Sequence, residues 1–286
     1  VKRFRQRLEY LAARIIWGLF GLLPLDAASA AGGWLARTIG PLMGASRIGR
    51  RNLARAFPDK SAAEIETILR GMWDNIGRVA GEFPHLEQIS TQRVELIGGE
   101  YVDLLRDDGQ AGIFISGHLG NWELNGAVAV ARGLPLNLVY RAANNPWIED
   151  LYRRGRKSAA TALIQKGSEG ARQALLVLKQ GGHLGMLVDQ KMNDGVAIPF
   201  FGRDAMTAPA VAQFATKFKC PLVPARVERL TGANFRLTVY PPMEFPHTGD
   251  PHDDNRLLLI RINALLEEWV REHPDQWLWV HRRWPE

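Results

Sequence analysis

The chain reads as an α/β protein: a central mixed sheet flanked by helices and preceded by a helical N-terminal region. Three observations lead there. Its 286 residues, 46% of them hydrophobic, are ample for a sizeable core. Over the first 85 or so residues, apolar side chains recur at helical intervals. From Val94 onward, short β-like runs alternate with helical stretches, the pattern of a sheet with covering helices. No internal repeat or low-complexity tract interrupts it.

The N-terminus comes first. Lys2, Arg3, Arg5 and Arg7 precede an apolar run from Ile15 to Leu25, and Ala27-Ala-Ser-Ala30 follows. A basic start, a short apolar centre and small residues resemble a secretory signal. The run is too short for a membrane span, which takes ~20 apolar residues. A second apolar segment, Trp34 to Met43, continues past the small residues, and Arg14 makes the first segment amphipathic. A basic, Trp-containing, incompletely apolar helix suits a membrane interface. Residues 1–45 are therefore expected to form an N-terminal anchoring segment, with a cleaved signal and an ordinary core helix as the competing readings. Residues 46–286 form the second expected domain, helical up to about residue 90.

The remaining elements follow in order. After the Arg-rich link from Arg47 to Arg55, Ser61-Ala-Ala-Glu64 has capping-box spacing. Ile65, Ile68, Leu69, Met72 and Trp73 then recur at helical intervals. Strands are expected at 94–97, 112–116, 136–140, 162–165 and 183–188, with helices at 99–106, 122–132, 146–158 and 169–180 between or after them. Residues 189–207, rich in Gly, Pro and Phe, read as a long loop. A helix near 208–218, strands at 221–229 and 234–240, and a final helix near 252–273 complete the chain.

A net charge of +6 and a pI near 9.7 favour anionic partners without separating nucleic acid, phospholipid or an acidic carrier protein. One cysteine, Cys220, excludes an intrachain disulfide and a multi-cysteine zinc site, and reads as core. There is no His-Glu-x-x-His, and the histidines at 85, 183, 247, 252, 273 and 281 lack ligand spacing, so no metal is expected. The terminal Trp277-Leu-Trp279-Val-His-Arg-Arg-Trp284 interleaves aromatics with positive charge. Single-stranded nucleic acid is one reading of that pattern; beside an amphipathic N-terminus, a membrane interface is the preferred one.

Chemistry is expected at Ser116-Gly-His-Leu-Gly-Asn-Trp-Glu123. His118 and Glu123 are five residues apart, a turn of about 140° on a regular helix, so they converge only if the chain bends. Gly117 and Gly120 permit such a bend. A carboxylate that accepts from one ring nitrogen makes the other a directed base. Ser116 lies outside any Gly-x-Ser-x-Gly elbow and is not expected to be a nucleophile.

The string His-Leu-Gly-Asn-Trp-Glu is similar to the His-x4-Asp/Glu motif of the glycerolipid and lysophospholipid acyltransferase superfamily. In its Gly-His-x-Gly-Asn-Trp-Glu form it resembles the bacterial lipid A lauroyl/myristoyl acyltransferase branch. Further matches are Val139-Tyr-Arg141 with Asn144-Asn-Pro146, Val188-Asp-Gln190, Val196 to Gly202 with Ala205-Met-Thr207, Leu222-Val-Pro224 and Trp279 to Trp284. Asn52-Leu and Phe57-Pro58 extend the resemblance over nearly the whole chain.

The resemblance implies a glycerol-3-phosphate acyltransferase-like fold and direct acyl transfer from a thioester to a lipid hydroxyl. The donor would be acyl carrier protein or coenzyme A, with no other cofactor. His118 would be the general base, oriented by Glu123. Arg141 would hold an acidic head group, and Asp189 would position His118, Arg141 or the acceptor, with Gln190 beside it. Phe200, Phe201 and Gly202 would line an acyl groove, with plain core packing of the Phe pair as the competing reading, and Thr207 would cap the following helix. The implied partners are acyl carrier protein, an anionic lipid A precursor and the cytoplasmic face of an inner membrane. Other lipid acceptors, or a non-catalytic lipid-binding protein, are the alternatives.

Overall fold

The computed structural model describes residues 2–285. Helices α1 (Lys2–Leu22) and α2 (Leu25–Ile39) come first, then α3 (Ala45–Ala56), α4 (Ala62–Glu82) and α5 (Leu86–Gln92). The α/β body follows as β1 (Val94–Ile97), α6 (Gly99–Asp107), β2 (Gly112–Ser116), α7 (Leu124–Ala131) and β3 (Leu136–Tyr140). It continues with α8 (Pro146–Gly155), β4 (Ala162–Gln165), α9 (Ser168–Lys179) and β5 (His183–Leu187). The last elements are β6 (Val196–Phe200), β7 (Arg203–Thr207), α10 (Ala210–Phe218), β8 (Leu222–Arg229), β9 (Phe235–Val239) and α11 (Pro251–Glu272).

Seven strands form one mixed sheet in the order β1-β9-β8-β2-β5-β3-β4. Every pairing in it is parallel except β8 with β9. β2, the sheet's middle strand, is buried along its whole length, which accounts for its unbroken apolar run. Helices cover both faces, and the sheet between them divides the core in two. One cluster includes Ile113, Ile115, Leu184, Leu222 and the α11 residues Leu258, Ile262 and Leu266. The other includes Phe114, Leu124, Val128, Leu136, Val223 and Leu237. Since β2, β3, β4 and β5 run parallel, their carboxyl ends share one edge, where an α/β sheet collects its functional groups.

The helical lead-in is fastened to this body. Ser61 and Glu64 form the expected capping box at the start of α4. α2 lies backbone to backbone on α4: a Cβ on Gly32 would fall 2.2 Å from the Gly77 carbonyl oxygen, so only glycine permits the approach. α1 turns a stripe formed by Phe4, Leu8, Leu11, Ile15, Leu19 and Leu22 outward, all exposed. Its other side meets Phe83 and Trp147 through Trp17 and Tyr10. Among the described residues, no helix is long and apolar enough to cross a membrane.

Two sequence expectations are corrected. Residues 189–207 are not one long loop, because β6 and β7 form an antiparallel hairpin within them. Its two-residue turn is Phe201-Gly202, with φ of 52° and 67°. A bulky residue at positive φ is a poor turn signal, and Pro199 argues against a strand, so the hairpin was not legible. The terminal tryptophans do not form an interfacial belt: Trp277, Trp279 and Trp284 are buried, and so is Arg283. Their rings pack with Phe57, Phe200 and Phe201.

Candidate active site

His118 leaves the carboxyl end of β2 in a short segment that turns before α7 begins. The bend lies at Gly120, whose φ is +53° and where a Cβ would meet the Val227 carbonyl oxygen at 2.6 Å. Several buried groups hold this segment. Asn75 Nδ2 donates to the carbonyls of Gly120 and Gln276, and Asn121 Nδ2 donates to Glu82. Glu82 is itself paired with Arg229 and accepts from Ser29 at 2.6 Å. The chain after α11 runs alongside, with Leu278 N donating to the His118 carbonyl and Trp277 bridging to Leu119.

The imidazole has a defined tautomer. Its Nδ1–H donates to Asp189 Oδ1 at 2.7 Å, because an ionised carboxylate only accepts; whenever the ring is neutral, the lone pair is therefore on Nε2. Asp189 Oδ2 accepts from the His118 backbone N–H at 2.8 Å and from Trp277 Nε1 at 2.7 Å. Asp189 is fully buried. Burial alone would raise its pKa, but the charge and hydrogen bonds of His118 outweigh it and hold the carboxyl well below the usual carboxylate range. Beside them lies His281, whose pKa burial pushes down to about 4, keeping this ring neutral. Gln190 Nε2 stands 3.4 Å from His118 Nε2.

Glu123 has a different partner from the one implied for it. Arg156 grips its carboxylate at both oxygens, Nε to Oε2 at 2.7 Å and Nη2 to Oε1 at 2.5 Å. Trp122 Nε1 donates to Oε1 at 3.2 Å. The guanidinium of Arg156 lies over the rings of Tyr152 and Tyr140, 5.2 and 5.7 Å from their centroids. The implied orienting contact to the His118 ring is therefore made by Asp189, while Glu123 fixes Arg156. Arg156 stood within a basic run, Arg153 to Lys157, that resembles a solvated helix face; nothing in its spacing marks it as the buried member.

His118, Trp122, Glu123, Tyr140, Arg141 and Arg156 line one open cleft of about 400 Å³. Arg141 follows β3 directly and is exposed there. The loop after it is held by Glu149, which accepts from the Tyr140 hydroxyl and, at 2.8 Å, from Ala143 N. Behind Glu123 lies an apolar cavity of about 70 Å³, bordered by Ser116, Gly126, Ala129, Leu138, Met186 and Val239 among others.

Three implied site residues lie elsewhere. Phe201 and Gly202 form the hairpin turn and border a separate basic hollow with Phe57, Arg203 and Arg271. The ring of Phe201 belongs to the aromatic cluster, and it does not border the apolar cavity. Thr207 does not cap α10, whose N-cap is Pro209 without a side-chain hydrogen bond. Its buried hydroxyl instead accepts from Arg283 at 3.0 Å and from Asn263 at 3.3 Å. Neither nucleophile alternative is equipped: burial pushes the Cys220 thiol up to about 11, and the Ser116 hydroxyl accepts from Asn125 without contacting a base.

The arrangement provides a buried carboxylate, a directed imidazole, an open cleft with cations on its walls and an adjoining apolar cavity. Against known proteins, the model of the family described as "Bacterial lipid A biosynthesis acyltransferase" matches residues 2–286. A lipid A biosynthesis palmitoleoyltransferase of Escherichia coli K12 is 27% identical over 246 residues, covering 82% of this chain and 77% of that one. A lipid A biosynthesis lauroyltransferase of the same strain is 26% identical over 249 residues, covering 83% and 78%. A lipid A biosynthesis acyltransferase of Haemophilus influenzae is 25% identical over 248 residues, covering 82% and 76%.

Proposed function

The chain belongs to the bacterial lipid A biosynthesis acyltransferase family, and we propose that it moves a fatty acyl chain from acyl carrier protein directly to a hydroxyl of a lipid A precursor. The observation that carries the mechanism is the His118–Asp189 pair, with Nε2 left as an acceptor at the cleft. The acceptor hydroxyl replaces Gln190 beside Nε2. His118 takes its proton as the oxygen attacks the thioester carbonyl, and Asp189 stabilises the resulting imidazolium. The tetrahedral intermediate collapses with cleavage of the C–S bond. The proton held on His118 then passes to the departing sulfur, releasing the carrier as a free thiol.

The remaining groups assist this transfer. Glu123 keeps Arg156 at the cleft wall, where its guanidinium offsets charge building on the carbonyl oxygen; backbone N–H groups at the start of α7 add to that stabilisation. Arg141 takes an anionic group of the acceptor. The acyl chain enters the apolar cavity beneath Glu123, whose lining must separate to admit a long chain. No cofactor besides the acyl thioester is required, and a coenzyme A thioester is the alternative donor. The outward apolar stripe of α1, together with Trp34, Leu35 and Ile39 of α2, lies in the cytoplasmic interface of the inner membrane. Residues 1–45 thus act as the anchor and residues 46–286 as the catalytic portion.

Mass spectrometry of lipid A from a strain lacking the protein, beside its complemented strain, tests the reading. The lipid should lose one acyl group and regain it on complementation; identical lipid A in both strains contradicts the proposed substrate.

A further inference from the structure

Arg141 and Lys166 are adjacent at the carboxyl edge of the sheet. β3 and β4 are parallel neighbours that end in register, Tyr140 opposite Gln165, and the next residues are Arg141 and Lys166. The Lys166 backbone N–H donates to the Tyr140 carbonyl at 2.8 Å, which extends the ladder to that position. Arg141 borders the His118 cleft, and Lys166 borders a second hollow with Arg153, Gln165 and Ser168. Both residues reach solvent, Lys166 from within a surround of protein atoms.

Their neighbours have partners. Arg156 is paired with Glu123, Arg154 with Asp150, and Arg153 donates to the Tyr140 hydroxyl. Neither the Arg141 nor the Lys166 side chain has a hydrogen-bonded or ion-paired partner among the described residues. Lys166 titrates below the ordinary lysine range because surrounding protein strips water from it. Attraction to Asp189 opposes this and repulsion from Arg141 adds to it, so the Lys166 ammonium lies within reach of both charges. Two unpaired like charges side by side repel each other, and an anion bound between them relieves that repulsion.

We propose that Arg141 and Lys166 form a two-cation clamp for a phosphate monoester on the acceptor, holding it while the hydroxyl reaches His118. The proposal rests on the acyltransferase reading above and adds Lys166 to it. A doubly charged monoester matches two neighbouring cations, Arg supplying a planar fork and Lys a point charge. The donor's phosphodiester, with a single charge, is the other source of phosphate near this site. Its contribution is separable by experiment.

The experiment compares wild type, Lys166→Ala and Lys166→Arg, using the acceptor with and without its phosphate. Donors are the carrier-bound thioester and a short acyl thioester that contains no phosphate. Wild type should favour the phosphorylated acceptor at least tenfold in kcat/KM. Lys166→Ala should lose most of that preference through KM, and Lys166→Arg should keep it. The loss should be the same with either donor. Binding of the two acceptor forms in mixed micelles to the His118→Ala protein, with and without Lys166→Ala, gives the same comparison without turnover. Failure of the acyltransferase reading, seen as no turnover in wild type, therefore leaves the clamp measurable. A preference unchanged in Lys166→Ala, or an effect that follows the donor's phosphate, overturns the clamp.

Discussion

Replacing Asp189 with Asn exchanges one carboxylate oxygen for an NH2 in a pocket where all three partners are donors. The amide oxygen keeps two bonds only by taking the Oδ2 position, where the His118 backbone N–H and Trp277 Nε1 both donate. The NH2 group then faces His118 Nδ1, which must accept, and the ring proton moves to Nε2. The imidazole stays in place in the wrong tautomer, with no lone pair toward the cleft. Loss of both the tautomer and the compensating charge should lower kcat about 10³- to 10⁴-fold, or ~4–5.5 kcal/mol of transition-state stabilisation. Steady-state release of free thiol from the acyl carrier, with circular dichroism as a folding control, measures it. KM should change little, because Asp189 is fully buried and does not line the cleft. A folded Asp189→Asn enzyme with kcat within tenfold of wild type would refute the reasoning.

Other consequences are as concrete. Trp277→Phe keeps an aromatic filler but removes one of three donors to Asp189, costing about 1–3 kcal/mol of stability. The carboxylate becomes less compensated and attracts the imidazolium more strongly, so the acid limb of kcat/KM should move to higher pH; an unchanged profile counts against the coupling. Asp189 itself is depressed below its unfolded value, so its contribution to stability is complete above pH ~4 and lost only as pH falls through the folded value. Chemical denaturation across pH 2–7 checks that sign. Ala129→Leu fills the apolar cavity and should lower kcat/KM for the longest acyl donors about tenfold or more, with shorter donors spared; equal losses for all lengths would place the chain elsewhere. Replacing Leu11, Ile15 and Leu19 by Ser should release the protein from anionic vesicles in a flotation assay, whereas full retention removes α1 as the anchor.

The sheet was legible because its strands are β-branched or apolar runs separated by helical stretches, and the middle strand carries no polar interruption. The hairpin at residues 196–207 was not, since its turn uses a phenylalanine at positive φ in place of a turn residue. His118 was visible because a glycine-framed segment after an apolar strand is unusual without a reason to bend there. Its partner was legible only as one of three roles open to Asp189, because nearness in sequence favoured Glu123 over a residue 71 positions away on a neighbouring strand end. Trp277 and Arg156 were hidden for a related reason. An aromatic–basic terminus and a basic run have the composition of exposed surfaces, and only packing decides which member turns inward.

Purified protein, a carrier-bound acyl thioester and a lipid A precursor, analysed by mass spectrometry, test the central claim most directly. Wild type should add one acyl group to the lipid with no acyl group retained on the enzyme. His118→Ala should bind the precursor and leave it unmodified. Transfer by His118→Ala at a rate near wild type, or an acyl-enzyme that forms and decays at the turnover rate, would contradict it.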